Sequence, residues 1–116
     1  MTNNKLFTTV RKQNGTSIID IQGEVTGYSE NTLMDAYAEA IHGNPHTIVL
    51  NFSKLEYLNS SGIGLIVTLL IRTQRQKQKL MACGLSEHYQ EIFKLTRLNE
   101  AIGIFETEAD VMAAVV

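Results

Sequence analysis

The sequence predicts one small α/β domain over residues 1–116, with a mixed, mostly parallel sheet, an N-terminal antiparallel hairpin and about four helices. Three observations lead there. An Asn-Gly pair at Asn14 and Gly15 separates two β-rich runs, the strongest short hairpin signal. After the hairpin, helix-like and strand-like patterns alternate, which implies βαβ units and parallel pairing. The length of 116 residues fits a single core and leaves no room for two.

Taken in order, residues 6–10 and 17–21 form the hairpin strands, and Gly23 ends the second or marks a bulge. Ser29 is placed to cap a helix with Glu30 in its first turn, and Leu33, Ala36, Tyr37, Ala40 and Ile41 make one amphipathic face. Gly43 and Pro45 stop that helix. Residues 47–52 read as a short, nearly all-apolar strand, followed by a polar connection and a second extended piece at residues 56–58. A helix is expected from Ser61 to about residue 76, then a strand at 80–83. A further helix runs from Glu87 to about residue 98, with Ile92, Phe93 and Leu95 buried. A strand at 102–105 and a last helix at 108–115 complete the chain.

Composition narrows the function. The chain is 44% hydrophobic and 19% charged, as for an ordinary globular protein. A formal net charge of −2 gives no bulk attraction to nucleic acid, so a protein or small-ligand partner is expected. The longest apolar run, residues 63–71, is too short to span a bilayer, and no signal peptide opens the chain, so the expected compartment is the cytoplasm. The single cysteine, Cys83, sits in an apolar stretch and reads as a small buried hydrophobe.

The segment 48–71 carries most of the information. Asn59, Ser60, Ser61 and Gly62 stand where a strand gives way to a very apolar helix. The first N–H groups of a helix lack intrahelical partners, and the macrodipole places roughly half a positive charge there. A phosphate on a serine at that end would meet free donors and a favourable field. The same residues are also ordinary helix caps, so from spacing alone both roles stand open. The helix itself is apolar beyond one stripe: seven of the nine residues 63–71 are Ile, Leu or Val. Either it is covered on both sides, or an outer face with Val67, Leu70 and Ile71 as candidates meets a partner.

The stretch VLNFSKLEYLNSSGIGLIV resembles the core signature of STAS domains, in the branch of bacterial anti-sigma factor antagonists. That signature runs from an apolar strand through a polar link to Asp-Ser-Ser-Gly, an apolar residue and Gly. The earlier Gly23-Glu24-Val25 is similar to the family's Gly-Glu-Leu/Ile-Asp stretch. The resemblance implies a phospho-regulated binding switch that is not an enzyme and needs no cofactor. The unphosphorylated form binds an anti-sigma factor that is also a GHKL-type serine kinase, and phosphorylation of Ser60 releases it. A PP2C-type phosphatase resets the serine. The binding surface so implied comprises Thr26, Gly27, Asn59, Ser60, Ser61, Gly62, Ile63 and Val67. Neither nucleic acid nor membrane is expected as a partner, and a weak homodimer is allowed. Two positions depart from the family: Asn59 and Thr26 each stand where it has Asp, removing a carboxylate near the corner. The alternative is a scaffold member of a larger bacterial signalling assembly that is not phosphorylated.

Other constellations are poorer. Gly62-Ile63-Gly64 lacks the third small residue of a dinucleotide fingerprint, since Val67 stands there. His42, His46 and His88 have no second ligand at metal spacing. Arg72, Arg75, Lys77 and Lys79 suit a solvated helix C-terminus, or an acidic partner. Asp20, Glu24 and Glu56 show no acid–base partner.

Overall fold

A computed structural model describes residues 5–115. The elements are β1 (Leu6–Gln13), β2 (Thr16–Val25), α1 (Glu30–Ala40), β3 (Thr47–Leu58), α2 (Ser60–Arg75), β4 (Lys79–Cys83), α3 (Glu87–Leu95), β5 (Gly103–Phe105) and α4 (Glu108–Val115), with 3₁₀ turns at Gly27–Ser29 and Leu98–Glu100. The sheet order is β1-β2-β3-β4-β5. β1 and β2 pair antiparallel and the other neighbours pair parallel, as the alternating pattern predicts. The hairpin closes through Gln13↔Thr16, with Asn14 at φ +50° and Gly15 at φ +78°. Positive φ at both turn residues is the requirement that selects Asn-Gly.

The two faces of the sheet are covered unequally. On one, Ile19, Ile21, Leu50 and Phe52 meet Leu33 and Tyr37 of α1, Ile66, Leu69 and Leu70 of α2, and Phe93 of α3 in the main core. Phe52 and Phe93 pack edge to face, with centroids 6.1 Å apart. On the other face α4 makes a smaller cluster, setting Val111 and Met112 over Ile18, Val49 and Cys83. Its first turn is fastened from the far edge of the sheet. Arg11 of β1 makes two 2.7 Å contacts with Asp20 and also reaches Glu108 of α4. Asn51 donates to Glu108 at 3.0 Å.

Several expectations change. β3 does not end at residue 52, because β2 continues beside it through Gly23↔Leu55 and Val25↔Leu58, absorbing register shifts on either side of Gln22 and Gly23. Gly23 lies inside β2 at one of these irregularities, so of its two readings the bulge holds and the strand end does not; at its φ of +100° a β-carbon would stand 2.2 Å from the Lys5 carbonyl oxygen. Ser29 does precede α1, but its side chain makes no cap bond to it, since a 3₁₀ turn comes first. α2 starts at Ser60 rather than Ser61. α3 stops at Leu95 with Arg97 in the left-handed region, and Leu95 is 75% exposed rather than buried.

α2 can now be phased. Gly62, Ile66, Leu69, Leu70 and Thr73 face inward, so Leu70 leaves the expected outer face. Ile63, Leu65 and Val67 pack at the margins of the core, which accounts for most of the helix's apolar excess. Ser60, Ser61, Gly64, Ile71, Arg72 and Arg75 are exposed on the outside.

Candidate functional site

Two chain segments meet at one end of the sheet: the β2 end with its 3₁₀ turn, and the β3 end with the start of α2. Their contact point is the carbonyl oxygen of Val25. It accepts the Asn59 N–H at 3.3 Å. It also lies against Gly62, where a β-carbon would fall 2.2 Å from it and 2.8 Å from Leu58 Cδ1. No side chain fits there, so glycine is what lets α2 begin directly on the β2 backbone.

Asn59 adopts extended backbone and caps α2: its Oδ1 accepts the Gly62 N–H at 2.9 Å, and its carbonyl accepts the Ile63 N–H at 2.9 Å. The N–H groups of Ser60 and Ser61 stay outside this cap. Both serines are exposed, and among the described residues no hydrogen bond ties either hydroxyl to a neighbouring group. A substituent on Ser60 Oγ would thus project outward from a helix N-terminus.

Thr26 caps the 3₁₀ turn opposite. Its Oγ1 accepts the Tyr28 N–H at 3.2 Å, while its own N–H donates to Ser29 Oγ at 2.9 Å. The buried Ser29 hydroxyl donates in turn to the Glu24 carbonyl at 3.1 Å. Gly27 then brings its backbone against Ser61, 3.4 Å separating a β-carbon built on Gly27 from Ser61 Cβ. Asn59 and Thr26 both accept the N–H that an Asp would accept in their place, so the two departures keep the capping geometry and give up only the charge.

The structure thus brings Thr26, Gly27, Asn59, Ser60, Ser61 and Gly62 together. Ile63 and Val67 follow on α2, each half-buried at the core margin. The segments 24–30 and 55–66 that build the corner contain Glu24, Glu30 and Glu56 but no Lys or Arg. Sequence reasoning missed three tyrosines on these and neighbouring elements. Tyr28 and Tyr57 are 67% and 47% exposed beside the corner, and Tyr89 of α3 accepts the Leu58 N–H at 3.0 Å. A lone tyrosine beside polar neighbours, as at Gly27-Tyr28-Ser29, Glu56-Tyr57-Leu58 and His88-Tyr89-Gln90, gives no sign of which way it faces until the tertiary contacts are known.

The remaining candidates stay apart. His42 and His46 share the loop between α1 and β3 and His88 lies on α3, all three exposed, and among the described residues no group of three or more metal-binding side chains gathers. Cys83 is buried beneath α4, and desolvation, with Glu108 nearby, pushes its thiol up to about 11. Arg72, Arg75, Lys77 and Lys79 are solvated. Asp20 gains the partner that the sequence hides: hydrogen bonding from Arg11 holds its carboxyl below the usual range, against the opposing effect of burial. The same cation lowers Glu108, and the two carboxylates raise Arg11.

Comparison with known proteins agrees with this architecture. An anti-sigma-B factor antagonist of Staphylococcus epidermidis is 24% identical over 88 residues, spanning 76% of this chain and 82% of that protein. The crystal structure of an anti-sigma factor antagonist from Mycobacterium paratuberculosis superposes with a TM-score of 0.82 at 20% identity, covering 95% of this chain and 93% of the other. The phosphorylated form of the Bacillus cell fate determinant SpoIIAA gives a TM-score of 0.73 at 20% identity, covering 95% and 100%. No helix among the described residues is long and apolar enough to cross a membrane. With the STAS domain model matching residues 8–111, almost the whole of the folded chain, the protein belongs to the STAS domain family.

Proposed function

We propose that this chain is a phospho-regulated anti-sigma factor antagonist, a non-enzymatic binding switch whose acceptor is Ser60. The observation that carries the reading is the placement of Ser60: an exposed hydroxyl on the first residue of α2, beside first-turn N–H groups, with no hydrogen-bond partner for that hydroxyl among the described residues. In its unphosphorylated form the corner of Thr26, Gly27, Asn59, Ser60, Ser61 and Gly62, with Ile63 and Val67, binds an anti-sigma factor that is a GHKL-type serine kinase. ATP belongs to that kinase, so the chain needs no cofactor. A PP2C-type phosphatase restores the hydroxyl, and the cycle runs in the cytoplasm.

The physics of release is electrostatic. Phosphorylation adds about −1.5 to −2 charges at pH 7. The corner segments supply no cation to neutralise them, and Glu24, Glu30 and Glu56 add to the negative field. A partner docked on the corner would have to bury that charge, a loss of ~3–5 kcal/mol, which weakens binding by roughly two to four decades. The helix dipole tolerates the phosphate in the free protein, so the switch needs no refolding.

The test is phosphorylation with the organism's own GHKL-type kinase and ATP, mapped by mass spectrometry, alongside binding of Ser60→Ala and Ser60→Asp. One phosphate on Ser60, persistent binding by Ser60→Ala and weak binding by Ser60→Asp are expected. If both variants bind like wild type, the switch is refuted.

A further inference from the structure

The end of β3 lacks a strand on one side. Pairing with β4 stops at Asn51↔Cys83, yet β3 continues to Leu58. A backbone N–H on that open side needs an acceptor other than a strand. At Leu58 the acceptor is a side chain: the buried Leu58 donates its N–H to Tyr89 Oη at 3.0 Å.

Tyr89 is itself held at three points. Its ring packs against the main core, its N–H reaches the Ser86 hydroxyl that caps α3, and its own hydroxyl takes the Leu58 bond. The same turn is braced by Gln90, which donates to the Leu85 carbonyl at 2.9 Å. Leu58 precedes Asn59, the cap of α2, and its Cδ1 lies against Gly62. Whatever fixes the Leu58 backbone therefore fixes the floor of the turn that carries Ser60.

We infer that Tyr89 is a positioning residue for Ser60, fastening the β3 end to α3 so that the serine hydroxyl is presented in one place to the kinase. The inference rests on Ser60 being the acceptor. Among the described residues no hydrogen bond joins Tyr89 to Ser60; it acts through Leu58 and Asn59. Serine phosphorylation depends on in-line placement of the attacking oxygen, so a loosened turn costs turnover more than affinity.

Tyr89→Phe keeps the ring and removes the bond. Thr96→Val serves as control, because the Thr96 hydroxyl bonds only within α3, to the carbonyls of Ile92 and Phe93. Amide hydrogen exchange and phosphorylation kinetics with the GHKL-type kinase are measured on both. In Tyr89→Phe, Leu58 amide exchange is expected to rise and kcat to fall, each by about 3- to 10-fold, with KM for the protein substrate little changed. Thr96→Val is expected to match wild type. An unchanged kcat in Tyr89→Phe, or an equal fall in Thr96→Val, overturns the positioning role and leaves the switch intact. Absence of phosphate on Ser60 in the wild-type protein, read before any variant is compared, overturns the switch and the inference with it.

Discussion

Gly62 and the carbonyl oxygen of Val25 stand so close that a β-carbon on Gly62 would sit 2.2 Å from that oxygen. This single approach seats the N-terminus of α2 on the end of β2 and lets the cap of Asn59 and the exposed serines form where they do. Gly62→Ala is expected to destabilise the protein by about 1–3 kcal/mol through overpacking against backbone that cannot yield. Gly64→Ala is the contrast: a β-carbon there meets nothing within 4 Å, and the substitution is expected to be neutral or stabilising by up to about 1 kcal/mol. Urea midpoints of the two variants decide it; equal shifts would contradict the packing.

The cap of α2 separates geometry from charge. Asn59→Ala removes the acceptor for the Gly62 N–H and is expected to cost about 1 kcal/mol. Asn59→Asp keeps the acceptor and adds a negative charge at the positive end of the helix dipole, a gain of about 0.3–1 kcal/mol. Denaturation at pH 7 and low salt reads both. A cost for Asn59→Asp equal to that of Asn59→Ala would show that the side chain is not acting as a cap.

The Arg11–Asp20–Glu108 cluster predicts a pH dependence. Both carboxyls are held below their ordinary values, chiefly by hydrogen bonds from Arg11. A depressed carboxyl stabilises the fold above its unfolded pKa, roughly 4 for Asp and Glu, and loses that contribution as pH falls through its lower folded value. Acid should therefore loosen α4. Glu108→Gln is expected to lower stability by up to about 1 kcal/mol near pH 7 and by less at pH 2, because the cluster is partly solvated and its carboxylates protonate as pH falls. Thermal midpoints at the two pH values measure the difference. A penalty just as large at pH 2 would assign the loss to packing rather than charge.

On α3, Phe93 and Leu95 were both expected inside, and only one is. Phe93→Ala removes a fully buried ring packed on Phe52 and is expected to cost about 3–5 kcal/mol. Leu95→Ser changes a residue 75% exposed and is expected to stay within about 0.5 kcal/mol of wild type. Comparable losses in the two variants would contradict the observed end of α3.

What the sequence by itself determined was whatever local chemistry dictates. Asn14-Gly15 specified the hairpin because few other pairs accept two positive φ angles, and the alternation of β and α patterns specified parallel strands with crossover helices. The run Asn59-Ser60-Ser61-Gly62 was legible as a helix start because capping depends on neighbours in the chain. Tertiary structure decided what depends on residues far apart in sequence. β3 runs through polar positions to Leu58 because β2 is there to pair with it, a long-range hydrogen-bond partner that apolar runs do not reveal. Leu70 turned inward and Leu95 outward because periodicity gives the spacing of a helix's faces but not which of them meets the core. Tyr89 reached Leu58, and Arg11 reached Glu108, across 31 and 97 residues of chain. Side-chain contacts at such separations exist only once the sheet and its helices have assembled.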